Sequence, residues 1–288
     1  MKTLKKAGKA LLNLSPTIPF FVLAICFLGL PFISMVVRSF TDEKTGLFTI
    51  NNYVQCFTKN SFKMAVINSL RMSGIATLIA MFIAFFVALA VYSTGINTRK
   101  WFMPILNISQ NFAGFPLAFA FILMLGTQGF IRLAMQQANI HILDNYKLLS
   151  YDGMIPVYVW FGIPLGALLL LPGFEAVKNE WREASSLLGC STFGFWTRIG
   201  VPNLLPTLLG TTSIVFADSI TTFTTIYMSM GGSALVLPVK INSMFSGDVK
   251  ASEEVGCALS VILILIILAV MVLCNIGKHI AEKRGVSA

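Results

Sequence analysis

The amino-acid sequence predicts an all-α fold, a polytopic membrane helical bundle with six transmembrane helices. Of its 288 residues, 56% are hydrophobic and only 11% are charged, whereas a soluble domain carries about 25% charged residues. The apolar residues fall into six runs of the length that a helix needs to cross a bilayer. We place the six spans near residues 17–37, 67–93, 102–126, 154–173, 204–228 and 256–277.

The first of these runs follows a basic start, as the apolar core of a secretory signal does. It extends over about twenty residues, which is longer than a signal core. We therefore predict a retained first transmembrane helix after a cytoplasmic segment at 1–16. No linker rich in Pro, Gly or Ser divides the chain, so a single transmembrane domain is predicted at 17–277, followed by a cytoplasmic tail at 278–288.

The Lys and Arg residues predict the orientation of the bundle. With the N-terminus in the cytoplasm, the inside segments hold 12 of the 21 basic residues and the outside segments hold the other 9, although the inside segments are shorter in total. Basic residues accumulate on the cytoplasmic side of membrane proteins. The sequence therefore predicts that both termini are cytoplasmic.

Two further parts of the chain, a loop and a span, contain patterns that indicate local structure. The first outside loop, from Arg38 to about Asn68, contains a short sequence typical of an amphipathic helix lying at the membrane interface. The third span contains Pro104, Gly114 and Pro116, and prolines kink a helix by removing a backbone hydrogen bond. The kink has two interpretations, a packing bend or a bend that lines a pore.

A polar segment at 174–203 separates the fourth and fifth spans. Good helix formers extend from Phe174 to Leu188, and Gly189 tolerates the left-handed backbone that ends many helices. Ser191 or Thr192 is a suitable N-cap for a second short helix, and Pro202 suits the start of the fifth span. We predict a helix–turn–helix on the cytoplasmic face.

The fifth span contains one carboxylate, Asp218, beside a run of threonines. An ionised group at membrane depth is costly unless it faces water or a partner, so it indicates function. We assign Asp218, Thr221 and Thr222 to a translocation path, and a carboxylate there would suit a cationic solute. The alternatives are an interhelical hydrogen bond or a salt bridge to a partner chain for Asp218, and bonds back to their own helix for the threonines.

Several classes of protein are excluded by what the sequence lacks. The five cysteines are scattered without metal-ligand spacing, and we predict neither a metal site nor a cofactor. No phosphate-binding Gly-x-x-x-x-Gly-Lys-Ser/Thr loop and no hydrolase motif occurs, so the chain is not expected to be an enzyme. The net charge of +9 comes from residues that flank apolar runs rather than a stripe interleaved with aromatics, which argues against nucleic-acid binding.

The polar segment resembles a known family. The cytoplasmic loop of the permease subunits of binding-protein-dependent ABC importers carries the pattern Glu-Ala-Ala, three residues, Gly, nine residues, Ile, one residue, Leu-Pro. In this sequence, Ser replaces the second Ala and Val201 replaces Leu. The matching positions are Glu183, Ala184, Ser185, Gly189, Ile199 and Pro202. The resemblance extends to Asn68-Ser69 and Leu237-Pro238 and implies a type I, MetI-like fold.

The resemblance also implies a mechanism and a set of partners. In that family the loop forms a coupling helix that docks in a groove of a separate ATPase, which binds the ATP, so the six matching residues are expected to couple to it. The expected partners are an ABC ATPase dimer, a second permease subunit (a sibling or an identical chain), an extracytoplasmic solute-binding protein and membrane lipid. The expected location is the bacterial cytoplasmic (inner) membrane.

The sequence predicts the transported solute less narrowly than it predicts the class of transporter. The Phe-Thr and Asn-Tyr pairs of the first outside loop, together with Asn68-Ser69, resemble the spermidine/putrescine-type permeases most. This resemblance implies that the transported solute is a polyamine. Permeases for iron(III), phosphonate, thiamine and sulfate or molybdate share most of these features and remain alternatives. A different class, an ion-coupled secondary transporter, would predict inverted repeats and more than one charge within the membrane, and the sequence contains no evident repeat.

Overall fold

The computed structural model describes residues 18–94, 96–141, 143, 145–246 and 252–286. The predicted cytoplasmic segment at 1–16 lies outside these residues, and so do the last two residues of the predicted tail. Within the described ranges the chain is almost entirely helical, and an isolated bridge joins Thr41 to Phe48. These features confirm the predicted all-α class.

The helices are numbered in chain order. They are α1 (Ile18–Ala24, a π-helical turn at Ile25–Gly29, and Leu30–Ser39), α2 (Asn51–Thr58), α3 (Asn60–Ser93), α4 (Ile96–Asn111), α5 (Phe115–Leu125), α6 (Phe130–Gln137), α7 (Ile155–Ala176), α8 (Asn179–Leu187), α9 (Thr192–Phe195, a π-helical turn at Trp196–Gly200, and Val201–Thr221), α10 (Thr224–Met230), α11 (Leu237–Phe245) and α12 (Glu253–Val286).

Six stretches of the described chain are long and apolar enough to cross a membrane, in agreement with the prediction. They are Pro19–Ser39, Asn60–Ser93, Phe115–Gln137, Ile155–Ala176, Thr192–Thr221 and Glu253–Ala281. The second is 34 residues long, which exceeds the length of about 20 residues that a bilayer requires. It can therefore tilt or extend beyond the bilayer.

The third and fifth spans differ from their predicted bounds. The stretch predicted as one helix at 102–126 is divided between α4 and α5 by non-helical residues at 112–114. Gly114 has a φ of +70°, which breaks the helix, and Pro116 lies in the first turn of α5. The span predicted at 204–228 begins earlier, at Thr192, and its helix ends at Thr221.

The chain divides into two compact units. The first comprises the described residues up to Lys59 together with those between Ile241 and Ile262, and the second comprises Asn60–Lys240 and the residues from Leu263 onward. In the first unit, Asn52 of α2 donates hydrogen bonds to the carbonyls of Ser39 and Thr41, at 3.0 and 2.9 Å. These bonds attach α2 to the end of α1.

The second unit is built on the contact between α3 and α7. Small residues allow this close approach: a Cβ added to Gly162 would lie 2.9 Å from the Cβ of Ala80, and one added to Gly166 would lie 2.9 Å from the Cβ of Ala84. Helices in membranes associate through such small-residue faces because apolar burial gives little driving force there. The α3–α7 pair forms the frame against which α4 and α9 pack.

Candidate functional site

The turn after α8 has the local geometry that the sequence predicts. Gly189 adopts a φ of +76°, its N–H donates to the carbonyl of Ser186 at 3.0 Å, and the N–H of Cys190 donates to the carbonyl of Ser185 at 2.9 Å. This pair of bonds is a Schellman motif, which satisfies the last carbonyls of a helix. The motif ends α8 and reverses the chain.

The second arm of the segment begins at a defined cap. The Oγ of Ser191, the first of the two predicted cap residues, accepts a hydrogen bond from the N–H of Gly194 at 3.1 Å. From Thr192 the chain stays helical through Thr221. The segment is therefore one short helix, α8, followed by the start of a long one.

Pro202 lies in the first turn of the α-helical part of α9, Val201–Thr221, as predicted, although the helical run that contains it already begins at Thr192. The turn before it is π-helical, with the N–H of Val201 bonded to the carbonyl of Trp196. The ring of Trp196 lies over Gly200, where a Cβ would be 2.3 Å from the Trp196 Cε3 atom. The wide turn accommodates a proline that has no N–H to continue the α-helical pattern.

Between α8 and the start of α9 lies an open groove of about 590 Å³, which we call the α8–α9 groove. Three of the six predicted coupling residues line it, namely Ala184, Ser185 and Ile199. The other lining residues are Trp181, Leu188, Cys190, Arg198 and Asn203. Glu183, Gly189 and Pro202 are exposed but lie outside this lining.

Large apolar side chains are exposed at the end of α8 and the start of α9, and one of them, Leu188, lines the α8–α9 groove. Leu187 and Leu188 are 88% and 87% exposed, and Phe193 is 79% exposed. Large apolar patches of this kind indicate a surface that a partner covers. From the sequence no role was predicted for these side chains, although their position on a polar segment between two apolar runs was a usable signal.

An aromatic cluster joins the start of α9 to α3 and α7. Phe174 of α7 packs against Phe85 and Tyr92 of α3 at ring-centroid distances of 5.4 and 5.8 Å, and against Trp196 of α9 at 5.8 Å. Phe195 completes it, at 5.5 Å from Trp196. The Tyr92 hydroxyl also donates to the carbonyl of Val177 at 3.2 Å. The cluster thereby fixes the N-terminal part of α9 to both helices of the frame.

A second candidate site lies at the other end of α9. Asp218 lines a cavity of about 230 Å³ together with Gln110 of α4, Phe161 of α7 and the residues from Thr222 to Thr225. Gly114 also lines it, so the helix break at 112–114 and the break after Thr221 meet here. Irregular backbone at membrane depth is tolerated where it lines a cavity, and broken helices form solute sites in other transporters.

The three predicted path residues do not share one environment. Asp218 and Thr222 line the Asp218 cavity, whereas Thr221 does not. Both threonines donate back to their own helix, Thr221 to the carbonyl of Ala217 at 2.8 Å and Thr222 to the carbonyl of Asp218 at 2.8 Å. This self-bonding is the alternative that the sequence analysis left open for the threonines.

The Asn68-Ser69 pair holds the connection between α10 and α11. Asn68 donates to the carbonyl of Leu235 at 3.0 Å, while the N–H of Leu237 donates to the Ser69 Oγ at 2.8 Å. The N–H of Leu235 donates to the Tyr151 hydroxyl at 3.0 Å. The connection is therefore bonded to α3 at two points and to Tyr151, in the turn before α7, at a third.

Comparison with known proteins places these sites in a family context. A family model described as binding-protein-dependent transport system inner membrane component matches residues 89–284. The spermidine/putrescine transport system permease protein PotC homolog of Mycoplasma pneumoniae is 25% identical over 279 residues, which cover 92% of this chain and 91% of the relative. The osmoprotective compounds uptake permease protein GgtC of Synechocystis sp. is 21% identical over 269 residues, covering 90% and 95%.

Solved structures share the fold. A bacterial ABC transporter involved in the import of the acidic polysaccharide alginate superposes with a TM-score of 0.75 at 15% identity, covering 98% of this chain and 99% of that one. The MetNI methionine ABC transporter in an inward-facing conformation superposes with a TM-score of 0.56 at 17% identity, covering 75% and 94%. At these identities the likeness concerns the fold and does not extend to the solute.

Proposed function

The chain belongs to the family of binding-protein-dependent transport system inner membrane components, and from this membership we propose how it is driven and what it carries. It is the permease subunit of an ABC importer, a multi-pass protein of the inner membrane. We propose that it forms half of the translocation pathway, with a sibling or identical permease as the other half. A separate ATPase dimer binds and hydrolyses the ATP, and an extracytoplasmic binding protein delivers the solute.

The α8–α9 groove is the proposed docking surface for the ATPase. The observation that supports this role is the exposed side chain of Leu188 in the groove, with Leu187 and Phe193 exposed near it in the chain, on the polar segment at 174–203. Helix-in-groove recognition uses apolar anchors of this kind. The other three predicted coupling residues act outside the groove. Gly189 shapes the turn, and Glu183 provides a charge on the surface that contacts the ATPase. Pro202 fixes the start of the main α-helical part of α9.

This assignment places the groove on the cytoplasmic side, where the ATPase is. The basic residues support the same orientation, because the polar segment carries Lys178, Arg182 and Arg198. Since six spans separate the two ends of the chain, both termini then lie in the cytoplasm. The connection between α10 and α11 faces the binding protein.

We propose that the Asp218 cavity lies on the translocation path and receives a cationic solute of the polyamine type. The observation that carries this proposal is a carboxylate that lines the same cavity as the side chains of Phe161 and Gln110. A carboxylate attracts an ammonium group through a charge-assisted bond, and an aromatic face does so through its π electrons. The same carboxylate would repel sulfate, molybdate or phosphonate.

The solute class can be tested by uptake into proteoliposomes that contain the complete transporter, its binding protein and ATP. We expect labelled spermidine or putrescine to accumulate, and unlabelled polyamine to compete with it. Sulfate and phosphonate are expected not to compete. Accumulation of an anion, with no polyamine uptake, would contradict the assignment of the Asp218 cavity to a cation.

A further inference from the structure

The short helix α2 has three distinct faces. Ile50, at its N-cap, and Val54 and Phe57 within it fall within about 60° of one another on a helical wheel, and they are 59%, 51% and 64% exposed. Asn52 and Cys56 point to the opposite side and are 5% and 1% exposed. The buried face already packs on the protein, so the apolar face remains uncovered.

The third face of α2 is polar. It contains Asn51, Gln55 and Thr58, and its centre lies about 100° around the helix from the centre of the apolar face. Gln55 accepts a hydrogen bond from the Lys59 ammonium group at 2.7 Å. A helix with adjacent apolar and polar faces of this kind is suited to lie along a boundary between an apolar phase and water.

The position of α2 in the chain places it at such a boundary. α1 is apolar and long enough to cross a membrane, and it ends at Ser39. The Tyr53 and Ser39 hydroxyls lie 2.8 Å apart, and the Phe40 and Tyr53 rings are 4.9 Å apart. Together with the two Asn52 bonds, these contacts hold α2 at the membrane-surface end of α1.

Two more apolar side chains precede α2. Leu47 and Phe48 are 69% and 76% exposed, and the Phe48 ring stacks on Phe40 at 5.6 Å. They lie beside a turn in which Asp42 accepts the N–H groups of Lys44 and Thr45 at 3.1 and 2.9 Å. The bonds from Thr45 and Lys44 lower the pKa of Asp42, so this turn stays charged and on the water side.

We propose that the apolar face formed by Ile50, Val54 and Phe57 is a lipid-binding surface that inserts into the interfacial region of the leaflet where α1 ends. A solute-binding protein is a poorer occupant, because it leaves after each delivery and would return three large apolar side chains to water. Lipid is present throughout the cycle and lies within reach of the end of α1. The proposal does not depend on the identity of the solute.

The test uses single tryptophans on two faces of α2. Phe57→Trp places an indole on the apolar face and Asn51→Trp, the matched control, places one on the polar face. Each transporter complex is reconstituted in nanodiscs with lipid brominated near the glycerol end of its acyl chains or with unbrominated lipid. The emission of the protein with only its 4 native tryptophans is subtracted. Val54→Trp serves as a second reporter of the apolar face.

We expect bromine to quench about half of the added emission of Phe57→Trp and Val54→Trp, and to leave that of Asn51→Trp nearly unchanged, because bromine quenches on contact and only the apolar face reaches the acyl chains. Retained solute uptake shows that each variant is folded. Equal quenching on both faces, or no quenching on either, would overturn the proposal. Protection of Phe57→Trp from bromine that depends on added binding protein, or a cross-link from Phe57→Cys to the second permease, would also overturn it.

Discussion

The α8–α9 groove and the Asp218 cavity lie at opposite ends of one helix, and they differ in chemistry and in exposure. The groove presents apolar side chains to solvent, as Leu188 shows with 87% exposure. The cavity instead places a carboxylate among packed helices, beside Phe161 and Gln110. An apolar group in water and an ionised group at membrane depth are both costly alone, so each site is complete only with a partner.

One helix connects the two sites. Ile199 of the groove and Asp218 of the cavity both belong to α9, and the nineteen steps along the helix from one to the other span about 28 Å at 1.5 Å per residue. The aromatic cluster around Phe174 fixes the N-terminal part of that helix to the α3–α7 frame. A movement imposed at the groove can therefore reach the cavity through a single element.

The largest expected effect concerns the cavity alone. Asp218→Asn removes the charge and keeps the shape, and the loss of a charge-assisted contact of about 1.5–3 kcal/mol predicts that polyamine uptake at low concentration falls about 10- to 100-fold. Asp218→Glu, which keeps the charge, is the control and should retain more uptake. Co-purification of the ATPase should be unchanged in both. Unaltered uptake by Asp218→Asn would remove the residue from the path.

Gly189→Val tests the groove through its backbone. Gly189 has a φ of +76° and no atom within 4 Å of its position for a Cβ, so the variant strains only the backbone. A left-handed conformation costs about 1–2 kcal/mol, and more for a β-branched residue, which predicts a roughly 5- to 30-fold loss of ATPase association. Gly189→Asn is the control, because Asn tolerates this conformation. Equal association for the two variants, measured by co-purification from membranes, would contradict the prediction.

Leu188→Ser and Leu187→Ser distinguish the groove from general surface hydrophobicity. The two leucines are almost equally exposed, but only Leu188 lines the groove. An apolar anchor contributes about 1–2 kcal/mol at an interface, so we expect Leu188→Ser to weaken ATPase association about 5- to 30-fold and Leu187→Ser to weaken it less. Similar losses would show that exposure, rather than the groove, matters.

The smallest effects concern the stability of α9. An added methyl group at Gly200 would meet the Trp196 ring, whereas Gly210 has open space around it. Overpacking costs about 1–3 kcal/mol, and replacement of a helical glycine by alanine otherwise gains about 0.5–1 kcal/mol. Gly200→Ala should lower the thermal midpoint of the solubilised transporter, and Gly210→Ala should raise it slightly or leave it unchanged. A higher midpoint for Gly200→Ala would disprove the role of the Trp196 contact.

Local signals in the sequence predicted the turn well. Gly189 and Ser191 were identified because a C-terminal glycine and an N-cap hydroxyl act through bonds to their immediate neighbours. Pro202 was harder, because the π-helical turn that accommodates it depends on where the Trp196 ring lies. The sequence contains both residues but not the packing of that ring against Tyr92 and Phe174.

The surroundings of Asp218 show where prediction from sequence stops. The charge within an apolar run was evident, whereas the helix break at Gly114 was not, because a kink was expected from the prolines within one continuous helix. The Asp218 cavity is lined by residues from three distant segments of the chain, which contain Gln110 and Gly114, Phe161, and Asp218 with Thr222. Nothing in the local pattern of any one segment specifies this contact, since it depends on how α4, α7 and α9 pack.

The division of roles between the two ends of α9 can be tested in one paired measurement. Leu188→Ser and Asp218→Asn are prepared in the same way, and ATPase co-purification and polyamine uptake are measured for each preparation. We expect Leu188→Ser to lose both, because an undocked ATPase drives no transport, and Asp218→Asn to lose uptake while it retains the ATPase. Full ATPase association in Leu188→Ser, or its loss in Asp218→Asn, would contradict this account.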